Sequence, residues 1–267
     1  MKNKFLKALV ASFILAISGL ANAGLITYAT SGSGGAISDL YTVDIVTGDT
    51  TLIGNTGLAL NSIAFYNGVL YGTERLGGSL VSINTDTGES SVIGALGTNV
   101  TSFAISNSGE AFGWSESSDD AVSINLLTGA TSVLGDAGVF SATHGLAFAD
   151  DMLVFFNADG NFYDVNELSG SLSLISSTGL DRFSRGAIDG DISSEDGLYY
   201  GLTWQELEFG INKLNYTDGS FEGFIATDVQ LHTLTFAGTT EVPEPSTLAV
   251  FALGLIGLAS RKFKKQA

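Results

Sequence analysis

Five copies of one short pattern limit what this chain can fold into more than any other feature. They are Val43-Asp44-Ile45-Val46-Thr47-Gly48, Ile83-Asn84-Thr85-Asp86-Thr87-Gly88, Ile124-Asn125-Leu126-Leu127-Thr128-Gly129, Val165-Asn166-Glu167-Leu168-Ser169-Gly170 and Leu214-Asn215-Tyr216-Thr217-Asp218-Gly219. Their glycines are spaced by 40, 41, 41 and 49 residues. In each copy an apolar strand residue precedes Asp or Asn, whose side chain can accept hydrogen bonds from the backbone N–H groups just ahead. Two variable residues turn the corner, and a glycine in the positive-φ region closes a short hairpin. A period of roughly 40 residues holding several strands reads as a propeller blade.

Other strands recur in register with the corner. After it come Thr51-Leu52-Ile53-Gly54, Ser91-Val92-Ile93-Gly94, Ser132-Val133-Leu134-Gly135 and Leu174-Ile175. Then a strand of small and apolar residues follows: Ser62-Ile63-Ala64-Phe65, Ser102-Phe103-Ala104-Ile105, Gly145-Leu146-Ala147-Phe148, Gly186-Ala187-Ile188 and Thr233-Leu234-Thr235-Phe236. Small residues suit an inner strand where backbones converge on an axis. An aromatic strand completes the unit, as in Leu70-Tyr71-Gly72, Ala111-Phe112-Gly113, Val154-Phe155-Phe156 and Tyr199-Tyr200-Gly201. Residues 25–30 look like an aromatic strand lacking its inner partner, and residues 233–236 like an inner strand with nothing after it. Joined, they complete one blade and remove the free sheet edges. The expected fold is all-β, a propeller of about five four-stranded blades, with a β-sandwich or β-solenoid as alternatives. The corner and blade order resemble bacterial propellers built on Leu-Tyr-x-Ile-Asp-x-x-Thr-Gly repeats, a resemblance that carries no function. The fourth unit is about eight residues longer, an excess expected in Asp189-Gly190-Asp191 to Asp196 or in Thr203 to Glu208.

The ends are a different material. Lys2, Lys4 and Lys7 precede an apolar stretch from Ala8 to Leu20 and then Ala21-Asn22-Ala23, the three parts of a secretory signal with an A-x-A cleavage site. Residues 1–23 are therefore expected to be a signal peptide and the mature chain to start at Gly24, with the repeat domain at 24–240. At the other end stand Val242-Pro243-Glu244-Pro245, with the chain's only two prolines, an apolar stretch, and the basic group Arg261, Lys262, Lys264 and Lys265. Between Glu244 and Arg261 lie 16 residues. As a helix they would reach about 24 Å, short of the ~30 Å hydrocarbon core. The basic group would stay cytoplasmic. A short span with a basic stop suits a segment held briefly and then removed, and the alternative is a plain membrane anchor. Residues 241–267 resemble the PEP-CTERM sorting signal of Gram-negative bacteria: motif, apolar helix and basic tail in order. The resemblance implies cleavage near the Pro-Glu-Pro by an exosortase, delivery to the cell surface or exterior, and association with exopolysaccharide or biofilm. It implies nothing about the residues before 241.

Charge narrows the partners of the body. Residues 24–240 hold four basic residues, Arg75, Arg182, Arg185 and Lys213, against 26 acidic ones, a net of −22. Such a field repels nucleic acid and anionic membrane surfaces, so the membrane is expected to be met only through the C-terminal helix. Calcium would be attracted diffusely, but most corners carry Asn with one further carboxylate or none, whereas calcium takes six to eight oxygens. No resident cofactor is expected. With no cysteine, stability cannot come from disulfides.

No catalytic constellation stands out. There is no G-x-S-x-G elbow, no cysteine nucleophile and no phosphate loop. His144 and His232 each sit at an inner strand, two blades apart, and a hydrogen-bonded structural role is expected for both. Asp119-Asp120 and Asp150-Asp151 read as solvated turns. A glycosidase needs two suitably spaced carboxylates, and so many acids leave no pair distinguished. Trp114 and Trp204 follow equivalent aromatic strands. They are candidate sugar-stacking residues, with blade packing as the competing role. The expected function is an exported, non-enzymatic binding or structural module. A secreted propeller hydrolase or lyase acting on polysaccharide, with or without calcium, is the alternative.

Overall fold

The computed structural model describes residues 25–32, 35–136, 144–180, 187–203 and 208–239. The signal-peptide residues Ala21, Ala23 and Gly24, the sorting residues Val242, Pro243, Glu244 and Pro245, and the basic residues Arg261, Lys262, Lys264 and Lys265 lie outside them, as do Arg182, Arg185 and Trp204. Among the described residues no helix is long and apolar enough to cross a membrane.

Residues 26–238 form one compact unit. Among the described residues twenty strands make five four-stranded sheets. Blade one pairs β20 (Leu231–Thr239), β1 (Leu25–Ser31), β2 (Asp39–Val43) and β3 (Thr50–Asn55) in that order. Blade two is β4 (Leu60–Tyr66), β5 (Val69–Glu74), β6 (Ser79–Ile83) and β7 (Ser90–Ala95). Blade three is β8 (Val100–Ile105), β9 (Ala111–Ser115), β10 (Asp120–Ile124) and β11 (Thr131–Asp136). Blade four is β12 (His144–Ala149), β13 (Met152–Asn157), β14 (Asn161–Val165) and β15 (Leu172–Ser177). Blade five is β16 (Ala187–Ile192), β17 (Tyr199–Thr203), β18 (Gly210–Leu214) and β19 (Phe221–Ala226). The expected propeller, its blade count and the blade shared by the two ends of the body are all present.

The corners work as their residues dictate. Asp44 Oδ1 accepts from the N–H groups of Val46 at 2.8 Å and Thr47 at 3.0 Å. Asn84 holds Asp86 and Thr87 in the same way, and Asn125 holds Leu127 and Thr128. Gly88, at φ 82°, closes the second corner by donating to the Asn84 carbonyl. A Cβ on Gly88 would sit 2.6 Å from the Gly54 carbonyl carbon, and one on Gly54 would sit 2.0 Å from the Thr87 carbonyl oxygen. Each corner therefore abuts the outer strand of the preceding blade, which explains the glycine one residue before the end of β3, β7 and β11.

The core is a ring of inter-blade layers. Five clusters of buried apolar residues each join two neighbouring blades. Between blades three and four, Trp114 stacks on Phe155 with centroids 4.2 Å apart and planes at 19°. Between four and five, Phe156 and Phe162 pack on Tyr199 at 5.3 Å each. Burying such rings contributes on the order of 2 kcal/mol apiece relative to exposure.

Candidate functional site

The inner strands β4, β8, β12, β16 and β20 put matching residues at matching heights around the axis. Register with the second strand of each blade fixes the match. Ile63 faces Gly72, Phe103 faces Gly113, Leu146 faces Phe155 and Gly190 faces Gly201. One residue earlier stand Ser62, Ser102, Gly145 and Asp189; one residue later stand Ala64, Ala104, Ala147 and Asp191. Blades two to four thus offer hydroxyls, glycine or alanine where blade five offers two carboxyls.

Asp189 is 3% exposed and closes the axis. Its Oδ2 accepts from Ser62 Oγ of blade two at 3.1 Å, and the carboxyl also bonds Thr233 of blade one and the Gly190 N–H. Blade one lies between blades five and two, so the contact with Ser62 bridges two blade positions. Thr233 Oγ1 in turn accepts from the Ile63 N–H at 3.1 Å. Burial pushes Asp189 well above the ordinary carboxylate range, more than these hydrogen bonds pull it down, and the nearby Asp191 adds to the rise.

Beyond this plug the axis opens into a cavity of about 630 Å³. Among its lining residues Phe65, Phe148 and Phe236 are partly exposed and give it apolar surface, and its mouth carries Tyr66, Asn67, Asn107, Asp150, Ser194 and Tyr216. Asp191 lines it and is half-buried. Oδ2 of Asp191 accepts from Thr235 Oγ1 at 2.9 Å and from the Phe236 N–H at 3.0 Å, and Oδ1 from the Ile192 N–H at 2.8 Å. Desolvation raises this carboxyl above its ordinary value against those three donors. A carboxyl so held is oriented: Oδ2 is filled by its two donors, and Oδ1 keeps one lone pair for a ligand.

Behind the strand, Tyr199 of β17 is fully buried and reaches toward the axis. A Cβ on Gly145 would lie 1.9 Å from its hydroxyl, so the bare glycine of blade four makes room for the tyrosine of blade five. That hydroxyl has no hydrogen-bond partner among the described residues. Desolvation and the two aspartates raise it well above the ordinary phenol range, so it stays protonated. Past the plug, desolvation and the positive charge of Arg75 lower His232 to about 4, leaving a neutral ring at pH 7.

The residues singled out in the sequence are not brought together. Of the two roles open to Trp114 the structure shows blade packing: it is fully buried in the layer between blades three and four with its ring stacked on Phe155, and as a candidate sugar contact it is corrected. Trp204 lies outside the described residues, and His144 begins β12 with its side chain outside the description. Asp119 and Asp150 both take positive φ, 56° and 52°, as turn residues. Of the acids read as turns, Asp150 alone lines the cavity. Among the described residues no group of three or more His, Asp or Glu could hold a metal ion.

The inner strand of unit four is also corrected. Gly186-Ala187-Ile188 was the expected match to Ser62-Ile63-Ala64; the register instead places Asp189-Gly190-Asp191 there. Paired acids resemble a loop unless a network of donors receives them, and here Ser62, Thr233, Thr235 and three N–H groups do so. Strand spacing could have revealed it. Ile63 precedes Gly72 by nine residues and Phe103 precedes Gly113 by ten, while Gly190 precedes Gly201 by eleven and Ala187 by fourteen.

Comparison with known proteins bears on the fold and on the tail separately. A chain of a nidogen/laminin complex superposes with a TM-score of 0.56 at 10% identity, covering 80% of this chain and 98% of that one. A gluconolactonase from Xanthomonas campestris gives 0.50 at 12%, covering 75% and 79%. A protein of unknown function from Bacteroides thetaiotaomicron gives 0.50 at 14%, covering 66% and 53%. At such identities the likeness is one of fold. No curated protein matches the sequence. Residues 241–265 match the PEP-CTERM protein-sorting motif. Behind its five-bladed propeller the chain therefore carries a PEP-CTERM sorting motif, which marks it as an exported exosortase substrate held transiently by its C-terminus.

Proposed function

We propose that this protein is delivered to the cell surface or extracellular matrix of a Gram-negative bacterium, trimmed after Ala23 and near Pro243-Glu244-Pro245, and acts there as a non-enzymatic binding module associated with exopolysaccharide. The observation that carries the reading is the sorting motif placed directly after a closed, strongly acidic propeller. Asp189, the most deeply buried acid at the axis, is bonded to neighbouring blades, a structural use that leaves the cavity as the place for a ligand. Intact-mass measurement on protein from the native host should show loss of residues 1–23 and of the tail beyond about Pro245, with the trimmed form co-sedimenting with exopolysaccharide. A full-length C-terminus in the membrane fraction would overturn the processing, and trimmed protein free of polysaccharide would overturn the association.

A secreted hydrolase is the second reading. It is favoured by Asp191, a half-buried carboxyl held above its ordinary range at a cavity, which is the environment of a general acid; one fold neighbour is a gluconolactonase. Turnover of polysaccharides or sugar lactones by the wild type, abolished in Asp191→Asn, would establish it. A calcium-induced rise in melting temperature would add the metal.

A further inference from the structure

We propose that the axial cavity of the propeller is a binding site for a small primary amine on an apolar body, with Asp191 receiving the ammonium group and the phenylalanine-lined wall receiving the rest. This goes beyond export and beyond the exopolysaccharide setting, and stands without either. Three observations carry it.

The first is shape and lining. A volume of about 630 Å³ is of the order that encloses a small organic molecule. Phe65, Phe148 and Phe236, each only partly buried, are among its lining residues, and aromatic surface favours both an apolar body and an adjacent cation.

The second is charge. Among the described residues lining the cavity, Asp191 and Asp150 are the charged ones, with no Lys, Arg or His. The surrounding body carries four basic residues against 26 acidic ones. An anionic ligand would meet repulsion at the mouth and at the base; a cation meets attraction at both.

The third is orientation. Asp191 is fixed by Thr235, Phe236 and Ile192 on known sides of its two oxygens. One lone pair remains, on Oδ1, and an ammonium supplies a charged donor to it. A charge-assisted N–H···O bond to a pre-oriented carboxylate is among the stronger polar contacts available to a ligand. Ordinary rim hydroxyls and amides would discriminate far less between an amine and its alcohol.

The test is isothermal titration calorimetry of the full-length protein in a nonionic detergent at pH 7.5, with phenethylamine and its neutral counterpart 2-phenylethanol. Phenethylamine should bind at least about tenfold more tightly than the alcohol, which corresponds to about 1.4 kcal/mol. Asp191→Asn should lose at least that factor for the amine and leave the alcohol unchanged. Equal affinity for the two probes on the wild type would overturn the role of charge without any variant having to fold. An amine affinity untouched by Asp191→Asn would overturn the assignment of the site. Glucosamine binding more tightly than phenethylamine would overturn the apolar body and point to a polar sugar instead.

Discussion

Blade five and blade two share strand order, corner chemistry and even the bulge in the inner strand, where Asn61-Ser62 face Thr73 as Ile188-Asp189 face Leu202. They differ in what the inner strand presents to the axis. Blade two presents Ser62 and Ala64; blade five presents Asp189 and Asp191. Its second strand adds Tyr199 where blade two has Leu70. The scaffold is repetitive, and the titratable chemistry of the plug and the cavity base has been collected in a single blade. Repetition supplies stability through five equivalent apolar layers, so one blade can hold groups that would be costly if every blade held them.

The sharpest way to break this comparison is to move an acid to another blade. Ala147 of β12 occupies the position of Asp191 and is fully buried among Val154, Phe156 and Tyr199. Ala147→Asp should destabilise the fold by roughly 3–5 kcal/mol in urea denaturation at pH 7, the cost of an unpaired buried charge. A loss below about 1 kcal/mol would mean that the axis tolerates an acid in any blade.

A second test concerns proton linkage. Asp189 has a folded-state pKa well above its unfolded one. Its contribution to stability is therefore fully present below the unfolded value of about 3.9 and is lost as pH rises through the folded value. Asp189→Asn keeps the hydrogen-bonding shape and removes that loss. Its melting temperature should equal that of the wild type near pH 4 and exceed it at pH 8. A variant less stable than the wild type at pH 8 would show that the charged carboxylate is the form the axis prefers.

The smallest effect belongs to the rim of the same blade. Lys213 pairs with Asp196 at 3.4 Å, both about one-third exposed, and lies 5.1 Å from the Tyr200 ring centroid. Lys213→Met should cost no more than about 1 kcal/mol, with the difference shrinking at high salt. A larger, salt-independent loss measured by thermal denaturation would make blade five a structural keystone rather than a decorated copy.

The repeat made the fold legible because its corners are local. Asp44 or Asn84 bonds residues two and three places ahead, so the reason for the pattern lies within the pattern. The site was not legible for the opposite reason. What makes Asp189 tolerable is Ser62, 127 positions away, and Thr233, 44 positions away. In the linear chain Asp-Gly-Asp has the composition of a turn, and nothing nearby supplies the donors. Trp114 illustrates the same gap: as a tryptophan beside serines it could face solvent, and only the arrival of Phe155 from the next blade decides otherwise.

The closing blade has a consequence for timing. Its first three strands are made at the beginning of the body and its innermost strand, β20, at the end, finishing at Thr239. Until that strand emerges, β1 is an unpaired edge and Thr233 is missing from the plug around Asp189. The ring can close only when the exporter has delivered almost the whole body, and Pro243 follows four residues later. During that interval the open edge of β1 is most able to join another chain, and β20 is the strand that covers it.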